Sequence, residues 1–273
     1  MSDRPTPNPL DAYAPAEIAL RVEAMGTAKA RLPALETLML GALAGAFIAF
    51  GAMLYTFTVT GSPFGFGPTR LLGGAAFSLG LVLVVVAGAE LFTGNALMVM
   101  AWVDRRIAGG ELARNWLLVY VANFAGAAAM AWLIWLSGVM ALGDGAPAAT
   151  ARAIAQAKLA QTPLEALIRG GLCNALVCLA VWLCLAAHDV ASKVLAIVLP
   201  ISAFVALGFE HSIANMYLVP LAWLLGAEGV APGLFFVHLF WVTLGNIVGG
   251  GGGVALVYWV CYRRARSQGS SSA

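Results

Sequence analysis

The string Gly88-Ala89-Glu90-Leu91-Phe92-Thr93-Gly94-Asn95 lies inside a long hydrophobic stretch. A second string, Gly208-Phe209-Glu210-His211-Ser212-Ile213-Ala214-Asn215, lies in another long hydrophobic stretch. Both follow the pattern Gly-x-Glu-x-x-x-small-Asn. Burying carboxylates, amides and imidazoles at bilayer depth costs free energy, so such groups rarely occur there without a functional role. Two copies at matching places in two halves therefore predict an internal repeat with a broken helix in each half. That arrangement builds substrate paths near the membrane midplane.

The composition around these strings is that of an integral membrane protein. Hydrophobic residues make up 61% of the 273 residues and charged residues only 10%, whereas soluble domains carry about 25% charged residues. Residues 1–34 are polar and rich in alanine, without the pattern of a cleavable signal peptide. The net charge of +2 gives no reason to expect a nucleic-acid partner.

The cysteines indicate neither a disulfide framework nor a metal site. All four lie within or at the end of apolar segments, and no CxxC or Cys/His ligand spacing occurs. We therefore expect no metal and no cofactor. The four are Cys173, Cys178, Cys184 and Cys261.

Six stretches are long and apolar enough to span a bilayer, which takes roughly 20 residues. The second and fifth are too long for a plain span and contain the polar strings, so we expect these two helices to be broken. Three spans in each half would invert the second half relative to the first, giving two inverted three-helix repeats. The stretches are about 36–58, 71–102, 112–138, 164–187, 193–225 and 233–262.

The distribution of basic residues predicts that both termini are cytoplasmic, because cytoplasmic loops are enriched in Lys and Arg. On this topology the outer set has only Arg70, Arg152, Lys158 and Arg169. The inner set is larger: Arg4, Arg21, Lys29, Arg31, Arg105, Arg106, Arg114, Lys193, Arg263, Arg264 and Arg266.

The expected organisation has three parts. Residues 1–34 form a cytoplasmic segment, 35–262 the transmembrane channel domain with repeats at about 35–138 and 164–262, and 263–273 a cytoplasmic tail. Ile18, Val22 and Met25 recur at helical spacing, which predicts a short amphipathic helix on the cytoplasmic face of the bundle, with membrane-surface binding as the second choice. The tail string, from Ser267 to Ser272, is expected to be disordered.

A second pair of strings supports the repeat. Asn123-Phe124-Ala125-Gly126-Ala127 and Asn246-Ile247-Val248-Gly249-Gly250 both read Asn-x-x-Gly-small. The glycines favour close helix packing through small residues. The run from Gly249 to Gly253 is not a phosphate loop, because it lies inside an apolar span with no Lys or Ser/Thr following.

At these motifs the chain resembles the formate/nitrite transporter family over about residues 15–262. The resemblance is also carried by Cys173-Asn174-Ala175-Leu176-Val177-Cys178-Leu179-Ala180-Val181-Trp182. It implies an aquaporin-like fold, a homopentamer with one pore per protomer, and an inner-membrane channel or proton-linked transporter, not an enzyme. The substrates would be small monovalent weak-acid anions: formate first, with nitrite, hydrosulfide, acetate or lactate as others. The first break reads Thr93-Gly94-Asn95, which matches neither the formate nor the nitrite pattern fully and leaves the anion open.

The resemblance also assigns roles to residues. His211 would be the central histidine, and Thr93 would belong to the loop that breaks the second helix. Leu91 and Phe204 would form an outer hydrophobic constriction, and Phe77 and Leu81 an inner one. Asn174 and Asn246 would be pore-lining amides, and Lys158 would be the basic residue of an outer vestibule.

His211 is the one histidine in the middle of a span, and an imidazole exchanges protons near physiological pH. It could therefore give a proton to a weak-acid anion, which would then cross apolar constrictions that repel the charged form. For Glu90 and Glu210 we favour a structural role over proton transport: they would cap exposed N–H groups at the helix breaks. Asn95 and Asn215 would clamp the same loops.

Two other classes of protein remain as alternatives. A neutral-solute pore would fit the fold, but the Asn-Pro-Ala pair of aquaporins is absent, since Asn95 precedes Ala96 and Asn215 precedes Met216. An intramembrane enzyme could use Ser212 and His211. Adjacent helix positions point about 100° apart, however, so these two cannot form a nucleophile–base pair.

Overall fold

The computed structural model describes residues 11–264, and within that range every regular element is helical. The prediction of an all-α membrane protein is confirmed at this level. The α-helices are α1 Pro15–Ala30, α2 Ala34–Val59, α3 Phe66–Val82, α4 Val99–Val103, α5 Gly109–Leu136, α6 Ala146–Leu159, α7 Pro163–Ala186, α8 Val190–Ala206, α9 Ser212–Leu224, α10 Pro232–Ile247 and α11 Val257–Tyr262. Short 3₁₀ segments cover Gly94–Met98 and Val139–Ala141, and π-helical segments cover Leu83–Gly88 and Val248–Leu256.

Five helices in the described range are long and apolar enough to cross a membrane, and three shorter apolar helices accompany them. Non-helical segments at 60–65, 104–108 and 142–145 separate several of these helices. The long helices are Ala34–Val59, Phe66–Gly88, Gly109–Leu136, Pro163–Ala186 and Pro232–Tyr262; the shorter ones are Gly94–Val103, Val190–Ala206 and Ser212–Leu224.

The second and fifth predicted stretches are each divided into two helices at the polar strings. The first leaves helical geometry at Gly88, which has φ 90°, and is regular again from Gly94. The second turns at Gly208, which has φ 73°, and starts a new helix at Ser212. A side chain at either glycine would strain a left-handed backbone, so the two glycines fix where each helix ends.

Side-chain caps fix the starts of α7 and α8 in the second half. Thr162 accepts the backbone N–H of Glu165 at 3.3 Å at the start of α7, while the Glu165 carboxylate accepts from Thr162. Asp189 accepts the backbone N–H of Ser192 at 2.9 Å at the start of α8. Each cap satisfies a donor that the first helical turn leaves open.

The glycines of the Asn-x-x-Gly strings lie at close helix contacts, as the sequence predicted. A Cβ on Gly126 would collide with the carbonyl oxygen of Ala42, so α5 and α2 touch backbone to backbone. A Cβ on Gly249 would collide in the same way with Gly171 of α7. The run Gly249–Gly253 lies in the π-helical segment Val248–Leu256.

Helix α1 packs on the bundle through the face predicted from its spacing. Ile18 and Val22 are buried in a cluster that includes Leu97 and Trp182, and Met25 packs partly against it. An ionic cluster holds the same helix: Arg263 Nε donates to Glu23 Oε1 at 2.7 Å. The predicted disordered tail, 267–272, lies outside the described residues.

Candidate functional site

Thr93 and His211 meet in the interior of the bundle, each contributed by one of the two helix breaks. Thr93 Oγ1 lies 3.0 Å from His211 Nε2, and both residues are buried. His211 is also the N-cap of α9, where its Nδ1 accepts the backbone N–H of Ala214 at 3.1 Å. Because Nδ1 accepts, a neutral imidazole carries its proton on Nε2 and donates it to Thr93. The hydroxyl hydrogen of Thr93 is then left to point at another acceptor.

A cavity of about 190 Å³ lies on one side of this pair, and we call it the Lys158 cavity. His211 itself forms part of its wall. The charged residues of the lining are Lys158, Arg70, Arg169 and Glu210. Three cations face one carboxylate, so this cavity favours an anion.

A second cavity, of about 520 Å³, is lined by residues of the first break, and we call it the Lys29 cavity. Its charged lining residues are Lys29, Glu90 and Lys193. It too has more cations than carboxylates. The chain therefore presents a cationic cavity at each of its two breaks.

Four buried apolar residues line the two cavities, and the structure groups them differently from the pairing that the family resemblance implied. Phe77 and Phe204 both line the Lys158 cavity, with ring centroids 5.6 Å apart in an edge-to-face contact. Leu81 and Leu91 both line the Lys29 cavity. The family resemblance had implied that Leu91 pairs with Phe204 and Phe77 with Leu81. The phenylalanine pair also touches the histidine, because the rings of Phe204 and His211 are stacked at 5.9 Å.

Glu90 and Glu210 are held by side chains, which corrects the expectation that they cap backbone N–H groups. Lys29 Nζ lies 2.6 Å from Glu90 Oε1, and Asn95 Nδ2 donates to Glu90 Oε2 at 2.8 Å. At the other break, Glu210 Oε2 accepts from Lys158 and Asn215, both at 2.8 Å. Each buried carboxylate is thereby paired with a lysine and clamped by the asparagine of its own string, which offsets the cost of burying it.

The backbone N–H groups at the breaks are held instead by Asn123 and Asn246. Phe92 N donates to Asn123 Oδ1 at 2.9 Å, and Ser212 N to Asn246 Oδ1 at 3.0 Å. Both hydrogens of each amide are also used. The acceptors are the carbonyl oxygens of Gly41 and Glu90 for Asn123, and of Gly170 and Glu210 for Asn246. Asn246, which the family resemblance makes a pore-lining amide, thus uses its whole amide to hold the second break.

Asn174 has one free polar atom beside the Thr93–His211 pair. Its Nδ2 donates to the carbonyl oxygens of Asn246 at 2.7 Å and Thr93 at 3.1 Å. Its Oδ1 is buried without a hydrogen-bond partner. Buried amide oxygens are rarely left unpaired, so this atom is a candidate contact for a transient ligand.

Sequence reasoning missed Lys29 and Arg70 as site residues. Lys29 stands in the last turn of α1 as Lys158 stands in the last turn of α6, so the position of a lysine just before a span was the available signal. Arg70 Nη2 donates to the carbonyl oxygen of Val205 at 2.9 Å, at the end of α8. It neutralises the negative helix end that would otherwise face the Lys158 cavity.

Known proteins of one transporter family match this chain over most of its length. The sequence model of the formate/nitrite transporter family matches residues 16–260. The formate channel FocA of Escherichia coli K12 is 41% identical over 276 residues, covering 94% of this chain and 97% of the relative. A probable formate transporter of Methanothermobacter thermautotrophicus is 40% identical, covering 91% of this chain and 96% of the relative.

Two solved structures are similar in three dimensions. One is a pentameric formate channel with formate bound, with a TM-score of 0.78 and 39% sequence identity, covering 84% of this chain and 97% of that chain. The other is described as an FNT family ion channel, with a TM-score of 0.83 and 30% identity, covering 90% and 98%. The breaks, the cavities and the Thr93–His211 pair therefore lie in a fold that this chain shares with a formate channel and with an ion channel.

Proposed function

Because this chain belongs to the formate/nitrite transporter family, we propose that it conducts formate across a membrane along a path past Thr93 and His211. The observation that carries the proposal is the buried Thr93–His211 contact between two cationic cavities. A multi-pass membrane channel or transporter, not an enzyme, fits this arrangement. His211 Nε2 contacts Thr93 and Nδ1 accepts from Ala214. The ring therefore has no free nitrogen to activate a nucleophilic serine.

The anion would enter one of the two cationic cavities, where a lysine faces it. It would then pass the Phe77–Phe204 wall on one side or the Leu81–Leu91 wall on the other. Apolar walls of this kind block hydrated ions. Between the walls, the Thr93 hydroxyl and the His211 Nε2–H are the donors that can replace water on formate.

His211 could also hand a proton to formate. An imidazolium needs a proton on Nδ1, so Ala214 N–H must first give up its acceptor. The proton on Nε2 then passes to a formate oxygen, directly or by way of the Thr93 hydroxyl, which leaves a neutral ring with its proton on Nδ1. Uptake of a proton from water at Nε2 and release of the Nδ1 proton to water restore the resting tautomer. The resulting acid carries no charge and crosses the apolar walls more easily. Release of the proton on the far side makes the process proton-linked.

We propose that the two halves, about 35–138 and 164–262, are inverted repeats of three spans, and that the six spans have an aquaporin-like arrangement. The matching contacts support this: Lys29 with Glu90 against Lys158 with Glu210, and Asn123 against Asn246 as the clamp. Residues 1–34 and 263–273 would then be cytoplasmic segments of an inner-membrane protein.

Assembly as a homopentamer, with one path in each protomer, is the further proposal. It is supported by the similarity to a pentameric formate channel and by large apolar side chains exposed on the helix faces, such as Leu117 and Phe240. Native mass of the detergent-solubilised protein tests it, and a transport-competent monomer would overturn it.

An anion panel in proteoliposomes tests the substrate. Vesicles with purified protein should show faster formate flux than empty vesicles. The fluxes of nitrite, hydrosulfide, acetate and lactate, measured in the same way, rank these anions against formate. Glycerol and water flux in the same vesicles tests the neutral-solute alternative. Vesicles that conduct glycerol but not formate would replace the anion channel by a neutral pore.

A further inference from the structure

His238 is a buried imidazole that the proposed path leaves without a task. It lies on α10, is 4% exposed, and lines neither the Lys158 cavity nor the Lys29 cavity. Its Nε2 lies 3.6 Å from Glu210 Oε2 and 3.3 Å from Asn215 Nδ2. Its Nδ1 is buried without a hydrogen-bond partner. A titratable ring therefore lies within 3.6 Å of a carboxylate that lines the Lys158 cavity.

The other half of the chain has an asparagine at the corresponding place. Asn95 Nδ2 donates to Asn115 Oδ1 at 2.9 Å, just as Asn215 approaches His238. Asn115 precedes the clamp residue Asn123 by the same spacing by which His238 precedes Asn246. An amide does not titrate and an imidazole does, so only the half that contains Glu210 has a protonatable group here.

Three groups converge on one oxygen of Glu210. Lys158 Nζ and Asn215 Nδ2 lie 2.8 Å from Oε2, and His238 Nε2 lies 3.6 Å from it. Asn215 has two N–H hydrogens, one for Oε2 and one for His238. The imidazole therefore accepts at Nε2 and carries its proton on Nδ1. In this state His238 does not compete with Lys158 for the carboxylate.

We propose that His238 is a positioning residue for anion capture: once protonated, it binds Glu210 Oε2 and frees the Lys158 ammonium for an anion in the Lys158 cavity. This inference rests on the proposed function. Glu210 lines the cavity, so a proton taken up on Oε2 can move to the lone pair of Nε2, which restores the carboxylate. Nε2–H then donates to Oε2, and Asn215 turns one N–H away.

The charge of the cluster changes with that proton. Lys158, Glu210 and neutral His238 sum to zero, whereas the protonated imidazole leaves a net charge of +1 beside the cavity. Other ionisable groups lie close to the Lys158–Glu210 pair. They are Arg70 on α3, Arg169 and Cys173 on α7, and His211 at the second break.

Formate exchange across proteoliposomes, with equal pH on both faces, tests the inference. The apparent KM and maximal rate of labelled formate exchange would be measured between pH 5 and 8. In the wild type, KM should be about 10-fold lower at pH 5 than at pH 8, which corresponds to about 1.4 kcal/mol of anion binding. His238→Asn copies Asn115 and should show a KM that no longer varies with pH, at an unchanged maximal rate.

Two further variants keep the test decisive. His188→Asn removes an exposed imidazole whose Nε2 contacts the carbonyl oxygen of Asp11, and its KM profile should match the wild type. His238→Gln serves if the asparagine variant does not fold, with the same expectation. A wild-type KM profile in either His238 variant overturns the role of His238, whereas wild-type vesicles that exchange no formate overturn the proposed function instead.

Discussion

Thr93 Oγ1 and His211 Nε2 lie 3.0 Å apart although 118 positions separate the two residues in the chain. Each residue comes from a helix break, and each break is held by its own asparagine clamp, Asn123 or Asn246. The contact therefore depends on both halves of the molecule. A second contact fixes the histidine tautomer: Nδ1 accepts the backbone N–H of Ala214, so the proton lies on Nε2.

The Thr93 hydroxyl can be tested with two substitutions of similar size. Thr93→Ser keeps the acceptor for His211 Nε2–H and should retain formate flux within about 3-fold. Thr93→Val leaves that buried N–H without a partner, a loss of about 1–3 kcal/mol, and removes the donor to formate. Its flux should fall about 10- to 100-fold in proteoliposomes at equal protein content. Equal flux in the serine and valine variants would remove the hydroxyl from the path.

The apolar walls should set the size of the permeant anion. Leu91→Ala or Phe204→Ala opens space in a wall, so acetate and lactate should gain on formate in competition assays. Both side chains are buried, and large-to-small changes cost about 2–5 kcal/mol of stability; melting temperature therefore accompanies the flux measurement. Leu199→Ala, an exposed apolar position on α8, is the control. An anion ranking unchanged from wild type in both wall variants would assign these side chains to packing.

The Arg263–Glu23 pair should anchor α1 to the bundle. Glu23 is 3% exposed, and burial raises the pKa of its carboxyl group. Arg263→Ala would remove the one counter-charge that is hydrogen-bonded to this buried carboxylate, at about 3–5 kcal/mol. Hydrogen exchange of α1 amides should accelerate by about 100-fold or more at pH 7.

The destabilisation of α1 by Arg263→Ala should be smaller at pH values below the raised pKa of Glu23, because the neutral carboxyl group needs no counter-charge. The half-exposed Arg106, 3.9 Å from the same carboxylate, provides the control. Arg106→Ala should change α1 exchange by about 1 kcal/mol or less. Unchanged exchange in Arg263→Ala would show that α1 is held by its apolar face alone.

The excess of basic residues on one side predicts where the termini lie. A reporter fused after Ala273 should show cytoplasmic behaviour, and one inserted in the 142–145 loop should show the opposite. Periplasmic activity of the fusion after Ala273 would overturn the topology.

Local signals in the sequence sufficed for the helix breaks and the all-α fold, whereas the lysine beside the second break was identified only through the family resemblance. Gly88 and Gly208 adopt a backbone that other residues avoid, so the glycine of each string marks a helix end without tertiary information. The small residues at Gly126 and Gly249 likewise mark helix contacts by their own size.

The partners of buried polar groups could not be predicted in this way, because tertiary packing selects them. Asn246 was assigned to the pore, yet its amide holds backbone groups of α7 and the second break. The carboxylate of Glu90 is paired with Lys29, 61 positions earlier, and no pattern near Glu90 points there. The resemblance to a family supplied the candidate constriction residues, but tertiary packing decides that Phe77 contacts Phe204.

The role of His211 is the central claim, and formate flux against pH in proteoliposomes of equal protein content tests it most directly. His211→Asn keeps hydrogen-bonding capacity but cannot exchange a proton, whereas His211→Phe also blocks the path by bulk. The account predicts rapid wild-type uptake driven by low external pH, at least about 10-fold less in His211→Asn, which needs only about 1.4 kcal/mol of barrier, and almost none in His211→Phe. Wild-type rate and pH dependence in His211→Asn would contradict the account and leave His211 as a helix cap.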